Sequence, residues 1–441
     1  MATIPTPTES QALPTSREER GRQIAKLGGI RQIGARYVVP SQSINAACPT
    51  YVVDLVEQTC TCPDYATRLK PCKHQEAVMF WLVWEAGMSG IENPPTETGT
   101  APKAPKRPTY PRNNAAINRA QTTEKDRVAV LLKGLCEGIE QPPREPGKRG
   151  RNAYCIRDVI FWIIMKVFTT LSGRRAKSDI RACKERQQIG KVYAVSTMFR
   201  AMLEESTTAI LLYLLEASAA PLAVIENRLG QLAVDSTGFH TRVFERWFSH
   251  KHGKMKAEHP FMKLHIMVGT ETHVVTGAIV SNAADCPQLP ELLDTTTKQF
   301  VVREVSADKA YLSKKNLEAI NKAGATPFIP FKENSVGMSS KSEYWRRMWC
   351  HFTLKADDFA KSYHRRSNVE TVMHMIKSKF GAAVRAKTPR AQINEILAKL
   401  ICHNLSCIVQ AIEDHGIQID LGSVTLTPTT TVDLDTTLVE S

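Results

Sequence analysis

LAVDST, residues 232–237, marks a change of period along the chain. Upstream, apolar residues recur at helical spacing, as in RDVIFWIIMKVFTTL (157–171); from about residue 229 they come in short runs rich in β-branched side chains. LAVDST, MKLHIMVG (262–269) and HVVTGAIVS (273–281) therefore read as three successive strands. Asp285-Cys286-Pro287 then opens a helix over QLPELLDTTTKQF (288–300), with Asp285 as the expected N-cap. VREVSADKAY (302–311) supplies a strand, SKKNLEAINKAG (313–324) a helix with a glycine stop, ATPFIPF (325–331) a strand, and 367–380 a helix. The order β-β-β-α-β-α-β-α predicts an α/β domain.

Two of these strands end on acids, Asp235 and Asp308. A carboxylate at the end of a buried strand is costly unless a metal or hydrogen bonds compensate it. A third acid lies in YHRRSNVETVMHMIK (363–377), where Tyr363, Arg366, Glu370 and Lys377 are spaced so that one continuous helix stacks all four on one side. Taken alone, that stripe reads equally as a solvated face whose Arg366–Glu370 pair contributes about 0.3–0.5 kcal/mol. With Asp235 and Asp308, Glu370 completes a set of hard oxygen donors suited to Mg²⁺ or Mn²⁺. Two such ions about 4 Å apart can serve the attacking and leaving oxygens of a phosphodiester.

These motifs resemble the DDE transposases of bacterial and archaeal insertion sequences, in the subgroup marked by Y-x(2)-R-x(3)-E-x(6)-K. The resemblance extends through VDSTGF (234–239) with Trp247 downstream, ADKAY (307–311), where Asp308 and Tyr311 fit D-x-x-Y, and NAADCPQLPELL (282–293), and it covers roughly 145–410. It implies an RNase H-like catalytic domain built on a mixed five-stranded sheet. Asp235, Asp308 and Glu370 would be catalytic and hold two Mg²⁺ (or Mn²⁺) ions; Arg366 and Lys377 would hold DNA phosphates and Tyr363 would position the strand. It further implies cutting of double-stranded DNA at element ends, strand transfer into target DNA, a homodimer on DNA, and a prokaryotic, nucleoid-associated cytoplasmic location. A transposase-derived DNA-binding regulator without cleavage, and a nuclease without strand transfer, remain open readings. The separation between Asp308 and Glu370 is too short for the large β insertion of some relatives. Trp345 and Trp349 in YWRRMWC (344–350) fit either stacking on an unpaired base or core packing. His250 and His252 in FSHKHGK (248–254) read as a basic loop rather than a second metal site.

Nearer the N-terminus, CTCPDYATRLKPCKH (60–74) sets Cys60, Cys62, Cys72 and His74 in a C-x-C…C-x-H arrangement. Three thiolates and an imidazole make a closed tetrahedral set for one structural Zn²⁺. Each pair shares a tight turn, and the intervening residues bring the turns together. The pattern resembles the SWIM zinc finger, including YVVPSQS (37–43) and YVVDLVEQT (51–59) as its strands and QEAVMFWLVW (75–84) as its closing helix. The resemblance implies a recognition module for DNA or protein.

The 441 residues carry a formal charge of +14, and residues 101–210 hold 22 Lys and Arg against 10 Asp and Glu. Such a concentrated basic segment attracts a polyanion, most commonly nucleic acid. Within it, SGRRAKSDIRACKER (172–186) displays Arg174, Arg175, Lys177, Arg181, Lys184 and Arg186, followed by KVYAVSTMFRAMLEES (191–206) with Ser196 as the expected N-cap. This fits a helix-turn-helix presenting Ser196, Thr197 and Arg200 to a groove; a helical bundle with a basic solvated face fits as well. The 11 scattered cysteines point to a reducing compartment rather than a disulfide framework. The longest apolar runs, such as VIFWIIM (159–165), fall far short of about 18 residues, so neither secretion nor a membrane span is expected. The expected divisions are a disordered 1–18, a finger domain 19–92, a Pro-rich basic linker 93–120, a helical DNA-binding and dimerisation region 121–225 with LLYLLEASAAPL (211–222) as a contact surface, a catalytic domain 226–412 and a flexible tail 413–441.

Overall fold

The computed structural model describes residues 17–42, 49–88, 113–141, 154–241, 261–332, 335, 342–422 and 424–426. Trp247, His250, His252, most of the expected linker and most of both termini lie outside the described residues. The chain forms two compact units, one of residues 1–103 with 331–361, the other of 104–330 with 362–441.

The first unit starts with α1 (Arg17–Leu27) and a four-stranded antiparallel sheet in sequential order, β1 (Arg31–Ile33), β2 (Arg36–Pro40), β3 (Thr50–Asp54) and β4 (Thr59–Cys60). A short α2 (Pro63–Arg68) and the longer α3 (Lys73–Met88) follow. Alternation of β-branched residues buries Val39 and Val53 on the face that meets Ala77, Val78 and Ile24. At Gly21 the missing side chain lets α1 approach α3 closely: an added Cβ would lie 2.7 Å from Glu76 Cβ.

In the second unit α4 (Asn114–Glu137), α5 (Ile156–Phe168), α6 (Ala176–Glu185), α7 (Val195–Ala201), α8 (Glu205–Ala219) and α9 (Ala223–Glu226) precede the sheet. The strands are β5 (Gln231–His240), β6 (Phe261–Gly269), β7 (Val275–Val280), then, after α10 (Leu289–Thr297), β8 (Glu304–Ala307), and after α11 (Lys314–Lys322), β9 (Thr326–Phe328). Their spatial order is β7-β6-β5-β8-β9; β7, β6 and β5 are antiparallel neighbours, whereas β5, β8 and β9 run parallel. This is the RNase H-like arrangement. The chain continues through α12 (Glu343–Leu354) and α13 (Ala356–Tyr363) into α14 (Ser367–Phe380) and α15 (Pro389–His415). A small hairpin of β10 (Ile419–Leu421) and β11 (Val424–Leu426) follows. The core joins α4, α5 and α15 to one face of the sheet. Buried Asn404 on α15 clips the edge strand by accepting from Val275 N at 2.9 Å and donating to Val275 O at 3.0 Å.

Three local expectations change. Asp285 makes no side-chain cap: a 3₁₀ turn, Cys286–Gln288, precedes α10, and the carboxylate turns to Lys263 and His265 instead. Ser196 lies inside α7, whose N-cap position is Ala194 with no side-chain cap. Tyr363, Arg366 and Glu370 do not share one α-helix, because α13 ends at Tyr363 and a 3₁₀ turn, His364–Arg366, leads into α14. The backbone stays right-handed through this junction, but the tighter i→i+3 bonding rotates Tyr363 and Arg366 relative to the face an unbroken helix would give.

By length and composition Glu205–Glu226 and Pro389–His415 could each cross a membrane. The apolar window of the second is 89% buried within the protein, as in a core helix. The corresponding window of the first is 39% buried and leaves Leu212, Tyr213 and Val224 exposed.

Candidate functional sites

Strand register builds the acidic site. Val234 pairs with Ala307 across the parallel β5–β8 ladder, so the next residues, Asp235 and Asp308, stand side by side. Asp308 directly follows β8, whereas β5 continues past Asp235 to His240, which places Asp235 in mid-strand rather than at the strand end expected from the sequence. Asp235 Oδ1 accepts from Ser236 N at 2.8 Å, and Asp308 Oδ1 from Lys309 N at 2.7 Å. The backbone amide of Lys309 thus supports the acid it follows.

Arg366 ties the third acid in. Its guanidinium donates to Asp235 Oδ2 at 2.7 Å and to Glu370 Oε1 at 2.6 Å. Burial pushes the Asp235 carboxyl above its usual range; the Ser236 amide and Arg366 work against the shift, while Asp308 and Glu370 add to it. Burial alone would lower Arg366, yet Glu370 and Asp235 outweigh it and hold the guanidinium more firmly charged. The three acids are electrostatic neighbours, but among the described residues they form no compact group with donor atoms within 4.8 Å of one another. The donor set fits a divalent cation chemically: all its ligand atoms are carboxylate oxygens, and a positive group already bridges two of them. Glu370, with its side chain 55% exposed, is the member with most room to move.

Alternation along β5 sorts the surroundings by face. Asp235, Thr237 and Phe239 point one way. Lys377 donates to Thr237 Oγ1 at 2.6 Å and lies 5.5 Å from the centre of the Phe239 ring, and burial lowers its pKa. Lys399, buried in α15, lies over the same ring at 5.0 Å and donates to Gly381 O and Ala383 O at 2.7 and 2.8 Å. It fixes the loop that hydrogen-bonds His240 at the end of β5. A lone lysine in the apolar stretch INEILAKLICHNL (393–405) is the signal in the sequence for this role.

The other face of β5 carries Ser236, opposite His265 in the β5–β6 register. Asp285 Oδ1 lies 2.9 Å from Lys263 Nζ and 3.2 Å from His265 Nδ1, and the buried Tyr311 hydroxyl makes no hydrogen bond among the described residues. Although burial acts to raise Asp285, hydrogen bonds from Lys263 and Ser236 prevail and lower it. Tyr311 is raised, first by burial and then by the surrounding acids. Trp349 is 4% exposed and offers no stacking platform, whereas Trp345 is half-buried and packs in a T-shaped arrangement with Phe331, ring centres 4.9 Å apart.

In the first unit Cys60, Cys62, Cys72 and His74 are all buried, with ligand atoms within 4.8 Å of one another. Cys60 Sγ and Cys72 Sγ each lie 4.0 Å from His74 Nδ1, close to the separation of about 3.6 Å that tetrahedral zinc with ordinary Zn–S and Zn–N bonds imposes. A hydrogen bond from Cys60 lowers Cys72 and, conversely, raises Cys60. Gln75 locks the turn, accepting from Cys72 N at 2.9 Å and donating to Gln58 O at 2.8 Å. The donor set and its enclosure fit zinc.

The basic helical region presents Arg174, Arg175 and Arg200 at the surface and Lys177 half-buried in the first turn of α6. Arg186 is paired with Asp126 at 2.5 Å. Tyr363 lies half-buried at the α13 end.

A mixed five-stranded sheet with acids on its two central parallel strands and a third on a following helix defines an RNase H-like domain bearing a carboxylate site. Residues 227–405 match the family described as Transposase DDE domain, and residues 51–80 match the SWIM zinc finger. The chain carries a transposase DDE domain behind an N-terminal SWIM zinc finger. No solved structure matches it.

Proposed function

We propose that this protein is the DNA transposase of an insertion sequence, with Asp235, Asp308 and Glu370 as its catalytic acids. The observation that carries the reading is the two-sided hold of Arg366 on Asp235 and Glu370, with Asp308 beside Asp235 on the adjoining strand. A surface of ordinary ion pairs has no need to draw these acids together from three distant segments of the chain.

The three acids would hold Mg²⁺ or Mn²⁺, which supplies activation of the attacking oxygen and charge stabilisation at the leaving oxygen. The chain's own groups do the rest. Lys377, held at Thr237, offers its ammonium to a phosphate along the α14 face, and Arg366 exchanges a carboxylate for a phosphate oxygen as DNA enters. Tyr363, next to that junction, limits where the strand can lie. Water attacks in line at the element end and leaves a 3′-hydroxyl and a 5′-phosphate. The 3′-hydroxyl then attacks a target phosphodiester, so one ester forms as another breaks. Double-stranded DNA is held by α6 and α7 through Arg174, Arg175, Lys177 and Arg200. Two copies bring both ends together, with the exposed Leu212 and Tyr213 on α8 as their contact.

The test is incubation of purified protein with DNA carrying the sequences that flank its gene, with Mg²⁺, beside Asp308→Asn. Nicks and joined products lost in the variant are expected; products unchanged by the substitution would overturn the assignment. Nicks without joined products would leave a nuclease.

A further inference from the structure

The finger's closing helix is enclosed by protein along most of its length. From Cys72 to Leu82 no residue is exposed, and the sequence QEAVMFWLVW lacks the polar stripe that a free surface helix keeps. One covering element is α1, which meets α3 at Gly21. The other comes from far along the chain. Phe80 of α3 packs against Trp349 of α12 with ring centres 4.9 Å apart, and the Arg22 guanidinium of α1 lies 4.4 Å over the Trp349 ring and 5.8 Å from that of Phe80. Met348, Trp349 and Cys350 are all buried. The segment that α12 belongs to lies between β9 and the helix that bears Glu370, and residues 331–361 group with the finger rather than with the sheet.

We infer that the partner of this zinc finger is the protein's own α12, and that the finger acts as a clamp on the segment leading into the Glu370 helix rather than as a free recognition module. α12 is followed by α13, whose last residue is Tyr363, and the 3₁₀ turn carrying Arg366 comes next. Holding α12 therefore limits the freedom of the chain immediately before Arg366 and Glu370. Zinc holds the turns that begin α3, so loss of zinc should loosen α12. The structural part of this inference stands without the proposed chemistry; only its catalytic consequence rests on that reading.

Hydrogen exchange of the full chain tests it without any need for DNA cleavage. After removal of zinc with a zinc-selective chelator, amides of 343–363 should exchange roughly tenfold faster or more, while β5 and α15 keep their protection. Trp349→Ala, measured with zinc still bound at one per chain, should speed exchange in α1 and α3. Trp349→Phe, which keeps an aromatic ring against Phe80, should restore protection if Trp349→Ala proves too disruptive to purify. Unchanged exchange at 343–363 after zinc loss would overturn the clamp. In an active preparation, Trp349→Ala should slow cleavage at saturating DNA by about tenfold and leave duplex affinity nearly unchanged. A loss confined to duplex affinity would instead establish a recognition module.

Discussion

The zinc set and the acidic set differ in almost every physical respect. Cys60, Cys62, Cys72 and His74 come from one short stretch, are wholly buried and already face one another. Asp235, Asp308 and Glu370 come from mid-β5, the end of β8 and a helix and remain partly open; strand register sets Asp308 beside Asp235, and Arg366 links Asp235 to Glu370. A closed set suits a metal that holds a fold; an open one suits a metal that must admit a substrate. The difference is between a set that local sequence assembles and one that only long-range topology brings together.

The largest expected effect lies on the closed side. Cys72→Ser should abolish stoichiometric zinc binding and unfold the finger, a loss on the order of 10 kcal/mol of apparent metal-binding free energy. Metal analysis and circular dichroism read it, and a folded finger in the variant would show that zinc is not needed. On the open side Asp308→Asn should lower strand cleavage by about 10³-fold and leave the melting temperature within a few degrees of the parent. A large drop in melting temperature would make Asp308 structural and erase the contrast.

Arg366→Met sharpens the comparison further. If the guanidinium stands where a cation belongs, its loss leaves Asp235 and Glu370 facing each other and costs about 1–2 kcal/mol in metal-free buffer, with Mg²⁺ restoring most of it. Equal destabilisation with and without Mg²⁺ would show that the acids do not bind the ion. Asp285→Asn, behind Asp235, should slow cleavage only several-fold, since it disturbs Lys263, His265 and Ser236 rather than the acids themselves. The smallest effects belong to the surface. Arg174→Ala and Arg175→Ala should each weaken DNA binding uniformly across sequences and lower the salt slope by about 1. No change in slope would remove α6 from the interface.

Much of this organisation is legible in the order of residues alone. Each strand of the five-stranded sheet has its own apolar, β-branched run, and Asp235 and Asp308 stand out as acids where such runs stop. The four zinc ligands stand out because their spacing is the geometry. What misleads are residues with two local uses. Asp285 has the sequence of a helix cap, but Lys263 and His265 compete for its carboxylate and win. Ser196 looks like a cap, yet α7 starts before it. The Tyr363–Lys377 stripe has a regularity in sequence that the structure breaks, because spacing alone cannot register a 3₁₀ turn. Trp349 cannot be assigned from its neighbours at all, since its partners Phe80 and Arg22 lie more than 260 residues away in sequence.

The sequence by itself determined the periodicities, the strands beside which the acids stand and the ligand spacing of the finger, because each depends on neighbours within a turn or two of chain. Tertiary structure alone decided that Arg366 would join Asp235 to Glu370, that Lys399 would anchor the end of β5, and that α12 would lie on the finger. Those outcomes need segments brought from far apart, and closing a longer loop costs so little additional entropy that burial and charge at the meeting point, rather than proximity in sequence, select the partner.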